Sequence, residues 1–285
     1  MQIYDCAVIG GGPAAVSAVI NLKLLNKNFI WLTSGASKKV ASAELIKNYP
    51  GLPSVTGGEL AWTFQNHVDG MNIPQTQALA TGVYQTDDGF TVLAGKDDYS
   101  AKCVILCIGV QSGKSIEGEE EFLGRGVSYC ATCDGFLYKD KTIAVLCTDK
   151  KYESEIEYLA ELSSKCYVFP MYKNYDIKSN KAEVILKQPA KITGDMRLKK
   201  ILFKDGEIDA DGFFILRNSV APSTLVHGLE TEGGHIKVKR DLSTNIEGIF
   251  AAGDCTGAPY QYAKAVGEGN VAAHSAVEYL AKLKK

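Results

Sequence analysis

Ile3 to Ile9 is a short continuous apolar run, IYDCAVI, followed at once by Gly10-Gly11-Gly12-Pro13-Ala14-Ala15 and then by an apolar helical stretch to about Leu25. A run of this kind suits a strand buried on both faces of a parallel sheet. The hexapeptide has the form G-x-G-x-x-A between a strand and a helix. Gly10 permits the tight turn, Gly12 lets the backbone approach a pyrophosphate, and Ala15 lets helix and strand pack closely, so that phosphates sit on the helix N-terminus. Alone the motif is weak evidence; directly after a buried strand it predicts a dinucleotide-binding fold.

The second strand, Phe29 to Thr33, ends on Ser34-Gly35 where such folds place an acidic residue for a ribose hydroxyl. The adenosine end is therefore expected to rely on hydroxyl and backbone contacts. Asn48-Tyr49-Pro50-Gly51 reads as a turn, Glu59 to Val68 as a helix, residues 78–84 and 89–93 as paired strands, and Cys103 to Gly109 as a buried strand ending on glycine. Near the other end, Ile249 to Asp254 reads as a strand with Gly253 and Asp254 at its carboxyl edge, where ligands bind in open parallel sheets. Gly267-Glu268-Gly269-Asn270 is expected to open a final helix from Val271 to about Leu283. The apolar positions of that helix suit a packed face, and its amino end suits negative charge on a reduced cofactor.

Cys130-Ala131-Thr132-Cys133-Asp134-Gly135 carries the chemistry. Two thiols at this spacing can close to a disulfide or open to a dithiol, with a carboxylate beside the second. Half of a zinc site is one reading, but no second CxxC or His pair completes four ligands, and the chain has only four histidines. A structural disulfide is another. The remaining cysteines, Cys6, Cys103, Cys107, Cys147, Cys166 and Cys255, mostly sit in apolar strand-like runs, as buried free thiols do. The sequence favours the redox-active reading. A helix beginning at Ala131 would lower the pKa of Cys130 or Cys133 through its dipole.

At 285 residues, 46% hydrophobic and 22% charged, with a net charge of -2, the chain has room for two domains and shows no bias toward nucleic acid or a membrane surface. No basic n-region, long apolar leader or bilayer-length apolar run is present, so a cytoplasmic protein is expected.

GGGPAA at the start, NYPG at 48–51, CATCDG at 130–135 and FAAGD at 250–254 occur in an order that resembles the low-molecular-weight thioredoxin reductases over essentially the whole chain. The resemblance implies an α/β fold with two Rossmann-like three-layer domains, the second inserted into a discontinuous FAD domain. The FAD domain is expected at 1–112 and 242–285, the inserted redox-disulfide domain at 113–241, and the whole as a homodimer. It further implies FAD as cofactor, its pyrophosphate over Gly10, Gly12, Pro13 and Ala14. Ser34 and Gly35 would face the adenosine, Val40 and Asn48 would approach the flavin, and Gly109 would close the pocket. Gly253 and Asp254 form the strand-end motif, with Asp254 on the ribitol, and Gln261, Tyr262 and Ala263 would lie beside the isoalloxazine. In the family a glycine-rich turn often precedes the position of Val40, and an arginine often precedes that of Gln261; here these are Ser37-Lys38-Lys39 and Tyr260. By the same likeness Cys133 faces the flavin, Cys130 attacks the protein substrate, and Asp134 moves the proton. The inserted domain must then move between the two tasks.

The inserted domain departs from the family where NADPH should bind. The strand Thr142 to Cys147 is followed by Thr148-Asp149-Lys150-Lys151-Tyr152-Glu153-Ser154-Glu155, with no glycine. Side chains there would block backbone approach to a pyrophosphate, and Asp149, Glu153 and Glu155 would repel it. After the strand Cys166 to Phe169 comes Pro170-Met171-Tyr172-Lys173, without the paired arginines that hold a 2'-phosphate in the family. This pattern is similar to the ferredoxin-dependent flavin thioredoxin reductases. The expected partners are thus thioredoxin and ferredoxin, with FAD converting single electrons into a pair. Ferredoxins are generally acidic, so the lysines at 38, 39 and 47, at 173, 178 and 181, and at 282, 284 and 285 are candidate docking clusters. The competing readings are an FAD-dependent dithiol oxidase using dioxygen, an NADPH enzyme with a diverged site, and a non-catalytic flavin redox sensor.

Overall fold

The computed structural model describes residues 2–35, 37–110, 116–119, 121–217 and 221–283. The side chains of Lys38 and Cys133, the expected first boundary at 112–113, and Lys284 and Lys285 lie outside the described residues. In chain order the first segment carries β1 (Ile3–Ile9), α1 (Pro13–Leu24), β2 (Phe29–Thr33), α2 (Lys38–Ala41), α3 (Gly57–Gly70), β3 (Thr76–Gln77), β4 (Ala80–Thr86), β5 (Gly89–Ala94) and β6 (Asp97–Leu106). The middle segment carries β7 (Val127–Ser128), α4 (Ala131–Asp134), a 3-10 turn at Gly135–Tyr138, β8 (Thr142–Cys147), a 3-10 turn at Lys150–Tyr152, α5 (Glu153–Leu162), β9 (Lys165–Pro170), β10 (Ala182–Val184), β11 (Lys191–Gly194), β12 (Leu198–Phe203), β13 (Gly206–Asp209) and β14 (Gly212–Leu216). The last segment carries α6 (Pro222–Leu225), β15 (Thr231–Glu232), β16 (His235–Ile236), β17 (Ile249–Ala251), a 3-10 turn at Asp254–Thr256 and α7 (Tyr262–Lys282).

The chain forms two compact units, Met1–Gln111 with Ala221–Lys285, and Ser112–Val220 between them. The return to the first unit thus falls at residue 221, not at 242. The cause is local pairing: Val226, just after α6, bridges to Val83 of β4, and the β15–β16 hairpin packs on the turn after β17.

In the first unit β3-β2-β1-β6-β5-β4 form one sheet, and β17 pairs with the C-terminal half of β6. β1, β2, β3, β6 and β17 run parallel, while β5 and β4 return antiparallel with Val83 opposite Val92. Parallel strands bury both faces, which is why IYDCAVI and the CVIL end of β6 do not alternate. α1 and α7 pack side by side on β1 and β6 through Ala14, Ala15, Ala18, Ala272, Ala273 and Ala276. These small residues let the two helices approach closely.

The final helix begins at Tyr262, nine residues before the expected Val271. Gly267 and Gly269 are interior residues of α7 instead of its start. A Cβ at Gly269 would lie 2.1 Å from the carbonyl oxygen of Ala14, so this glycine permits the α1–α7 contact and does not break the helix.

The second unit has a parallel sheet in the order β10-β9-β8-β14-β7 and a three-stranded antiparallel sheet, β11-β12-β13. β8, α5 and β9 make a βαβ unit whose core holds Ile143, Val145, Ile156, Leu159 and Phe214. Both units are therefore α/β with parallel sheets. Among the described residues no helix is long and apolar enough to cross a membrane.

A buried ion pair crosses the second unit from its beginning to its end. Arg217, after β14, donates to both carboxylate oxygens of Glu119, which also accepts from the Tyr129 hydroxyl at 2.5 Å and the Ile116 N–H at 3.0 Å. Glu119 is 1% and Arg217 5% exposed, so neither charge can turn to water. Removing one partner of such a pair costs about 3–5 kcal/mol, whereas replacing both with apolar groups is often neutral. Glu119→Gln is expected to lose that much in equilibrium urea unfolding followed by circular dichroism. Glu119→Leu with Arg217→Met should recover most of the loss.

Candidate functional site

Four parallel strands of the first unit end on one edge of its sheet, and each delivers expected site residues just past its last residue. Gly10 follows β1, Ser34 and Gly35 follow β2, Gly109 follows β6, and Gly253 and Asp254 follow β17. This is the edge at which open parallel sheets bind ligands. Gly10 has φ +130°, and a Cβ there would lie 2.1 Å from the Cys107 carbonyl oxygen. A Cβ on Gly11 would lie 2.1 Å from the Gly35 oxygen and 2.4 Å from Thr33 Oγ1. Gly12 is different. It caps α1 with extended backbone, Pro13 takes the first helical position, and a Cβ on Gly12 would meet nothing within 4 Å.

That open side of Gly12 faces a cleft lined by Gly11, Gly12, Pro13, Thr33, Gly35 and Val40, together with Trp31, Phe64, Gln65 and Gln75. The first N–H groups of α1 have no partner within the helix and stand at the positive end of its dipole. A pyrophosphate fits this cradle because no side chain occupies the approach at Gly12. The β2 turn is held by Thr33, whose Oγ1 accepts from Gly35 N–H at 3.0 Å and donates to its carbonyl at 2.9 Å. Trp31 Nε1 donates to the Gly10 carbonyl at 2.7 Å. The roles of Gly11, Thr33 and Trp31 lie outside the motif pattern. A tryptophan in a buried strand had given one usable signal, because its ring N–H needs an acceptor.

A second group of expected residues comes together at the start of α7. Asn48 Nδ2 donates to Gln261 Oε1 at 2.7 Å, and Tyr262 donates its hydroxyl to the Lys39 carbonyl at 3.3 Å. Lys39 forms an ion pair with Asp254, and its ammonium lies 5.1 Å from the centre of the Tyr260 ring. Two departures from the family pattern thus meet: the lysine beside Val40 stacks on the tyrosine before Gln261. The strand-end turn is tied down by Glu268, which accepts from Gly253 N–H at 2.8 Å, and by Lys264, which donates to the Gly253 and Gly257 carbonyls. Gly253 has φ +93° and a Cβ there would press on that of Ala14, so Ala14 is fixed by its neighbours. Ser34, Gly109 and Ala263 line neither the cleft nor this cluster.

The redox motif is in the second unit. α4 is a single turn, so the expected helix after Cys130 is short and the dipole available to a thiolate is small. Cys130 is disulfide-bonded; the side chain of Cys133 lies outside the described residues. Ser128, at the end of β7, accepts from Cys130 N–H at 3.1 Å and donates to Asp134 Oδ2 at 2.7 Å. The following 3-10 turn exposes two apolar side chains, Phe136 at 62% and Leu137 at 52%. The six other cysteines are buried free thiols. Burial pushes Cys147 up to about 11 and Cys166 and Cys255 up to about 12, so they remain protonated at neutral pH. Among the described residues no cluster of His, Cys, Asp or Glu could hold a metal ion.

The βαβ turn of the second unit is filled. Tyr152 closes the 3-10 turn before α5 and is 9% exposed, packed in the core with Cys147, Ile156 and Leu159. Glu153, in the first turn of α5, accepts from the Tyr172 hydroxyl and from Asp176 N–H, each at 2.9 Å. Asp149 Oδ1 accepts from Lys151 N–H at 3.2 Å.

The two glycines at 10 and 12 predict opposite responses to substitution. Gly12→Val should fold, because its side chain enters open space, yet purify without a dinucleotide cofactor. Gly10→Val should fail to fold, because its side chain enters the backbone at Cys107. Absorbance of bound cofactor and far-ultraviolet circular dichroism of the two variants check this; a Gly12→Val protein with full cofactor content contradicts it.

The family model for pyridine nucleotide-disulphide oxidoreductases matches residues 4–147 and 173–269. The chain is 31% identical to the thioredoxin reductase of Aquifex aeolicus, over 89% of this chain and 85% of that one. It is 28% identical to the thioredoxin reductase of Bacillus subtilis, over 100% of this chain and 97% of that one. Among solved structures, a ferredoxin-flavin thioredoxin reductase from Clostridium acetobutylicum superposes with a TM-score of 0.93 at 43% identity, covering 100% of this chain and 99% of that one. With the cradle, the redox motif and the match agreeing over most of its length, the chain belongs to the pyridine nucleotide-disulphide oxidoreductases, in their thioredoxin reductase family, and is an FAD-dependent flavoprotein.

Proposed function

We propose that the chain is a thioredoxin-disulfide reductase that takes electrons from reduced ferredoxin and not from NADPH, working in the cytoplasm as a homodimer. The turn between β8 and α5 carries the choice of donor. In a nucleotide-binding βαβ turn the phosphates need bare backbone beside the helix N-terminus. Here residues 148–155 carry no glycine, Tyr152 packs into the core beside the turn, and the first turn of α5 carries the carboxylate of Glu153. The likeness to the Clostridium acetobutylicum protein, whose name includes ferredoxin, supports the same choice.

Bound FAD supplies the conversion between single electrons and an electron pair. Gly10, Gly12, Pro13 and Ala14 would hold its pyrophosphate, and Ser34 and Gly35 would lie toward its adenosine. Val40, Asn48, Gly109, Gly253, Asp254, Gln261, Tyr262 and Ala263 would hold the rest, with Ser34, Gly109 and Ala263 reaching it from outside the cleft and the α7 cluster. The Asn48–Gln261 hydrogen bond fixes the start of α7, and the Lys39–Asp254 pair keeps a positive charge beside the expected ribitol position. In the dithiol form Cys130 attacks the disulfide of thioredoxin and forms a mixed disulfide. Cys133 then attacks Cys130, the reduced thioredoxin leaves, and Asp134 moves the proton that the departing thiolate needs. The exposed Phe136 and Leu137 offer apolar contact beside the reacting sulfur, which suits a protein substrate. The buried, protonated thiols elsewhere do not compete for it.

The test is anaerobic mixing of the yellow protein separately with NADPH, NADH and reduced ferredoxin, with flavin absorbance as the readout. Ferredoxin alone is expected to remove the absorbance, and addition of oxidised thioredoxin is expected to restore it. Bleaching by NADPH within seconds contradicts the proposal. Peroxide formation with a small dithiol in air, and no response to ferredoxin, would point to a dithiol oxidase instead.

A further inference from the structure

We infer that Ser128 is the positioning residue of the redox turn: its hydroxyl sets which oxygen of Asp134 carries the transferable proton. The inference rests on the proposed reading of Cys130 and Asp134 as redox pair and proton mover. Ser128 is 3% exposed, at the end of β7, two residues before Cys130. Its Oγ has three polar neighbours. It accepts from the Cys130 N–H at 3.1 Å, which occupies a lone pair and turns the hydroxyl hydrogen away from that N–H. It lies 2.7 Å from Asp134 Oδ2 and 3.3 Å from the Cys130 carbonyl oxygen. Asp134 Oδ2 is the nearer of the two acceptors, so the hydroxyl donates to it. Asp134 N–H in turn donates to the Cys130 carbonyl at 3.3 Å, which closes the loop between the first cysteine and the acid.

A hydroxyl that donates to Oδ2 leaves Oδ1 as the oxygen that gains and loses the proton. When an external thiolate attacks the Cys130 disulfide, a new S–S bond forms, the old one breaks, and the departing sulfur leaves as a thiolate that needs one proton. Asp134 gives it from Oδ1 and regains one from solvent. With a dithiol reductant the second thiol closes its own ring and releases the second protein thiol. The net change is one protein disulfide reduced and one reductant dithiol oxidised. Without the Ser128 hydroxyl the carboxyl can rotate, and either oxygen can hold the proton away from the sulfur.

The experiment measures the rate at which dithiothreitol opens the Cys130 disulfide in the FAD-loaded protein, by trapping the new thiols with an alkylating agent and weighing the product. It contains neither ferredoxin nor thioredoxin, so an error in the donor or the substrate leaves it unaffected. Ser128→Ala is expected to slow opening roughly tenfold, part of the 10²–10⁴ that general acid–base catalysis supplies. Asp134→Asn should slow it at least as much, and the double variant no further than Asp134→Asn alone. Ser128→Thr and Ser128→Val have nearly the same shape and differ in the hydroxyl; Thr should keep the wild-type rate and Val should lose it. Equal rates for Thr and Val, a wild-type rate for Ser128→Ala, or a double variant slower than Asp134→Asn by the full Ser128→Ala factor would each overturn the inference.

Discussion

The close approach of the α1 backbone to its neighbours is the constraint on which the first unit depends. The start of α1 lies between the Cys107 carbonyl, the Gly35 carbonyl and α7, and the chain meets each with a residue that lacks a side chain: Gly10, Gly11 and Gly269. Gly253, at the end of β17, is required less by space than by its φ of +93°. A methyl group at Gly10, Gly11 or Gly269 would push the helix off the sheet edge. With all of them bare, the N-terminus of α1 is pinned beside the strand ends, and Gly12 is left as the one glycine of the turn whose open side faces a ligand space.

The second unit repeats the βαβ arrangement with a different turn. β8, α5 and β9 have the strand order and parallel pairing of a nucleotide site, but the turn is packed, with Tyr152 in the core and Glu153 bound by Tyr172 and Asp176. On the proposed reading the two turns differ in whether backbone is bare at the helix start: Gly12 before α1, and a glycine-free stretch before α5.

Much of this was legible in the sequence because it depends on local chemistry. The unalternating run of β1, the glycines at 10 and 12, and the absence of glycine over 148–155 each have a direct physical meaning, and the structure gives each one its place. The start of α7 was misread because Gly267 and Gly269 look like a helix boundary, whereas Gly269 answers to a helix contact with Ala14, which is more than 250 residues away in the chain. The return at 221 was missed because it depends on the bridge between Val226 and Val83, a pairing no local pattern announces. Ser128 and Thr33 were invisible as site residues for the same reason, and Lys39 was read only as a docking lysine and not as the partner of Asp254. Their roles come from hydrogen bonds or ion pairs that exist only once the chain is folded.

The central claim is that the turn between β8 and α5 has lost its nucleotide. It is tested most directly by titrating the FAD-loaded protein with NADPH in a calorimeter and by mapping any contact through hydrogen exchange over residues 147–155. The account predicts no saturable heat and unchanged exchange there at millimolar nucleotide. One NADPH bound per chain, with protection of that turn, would contradict it.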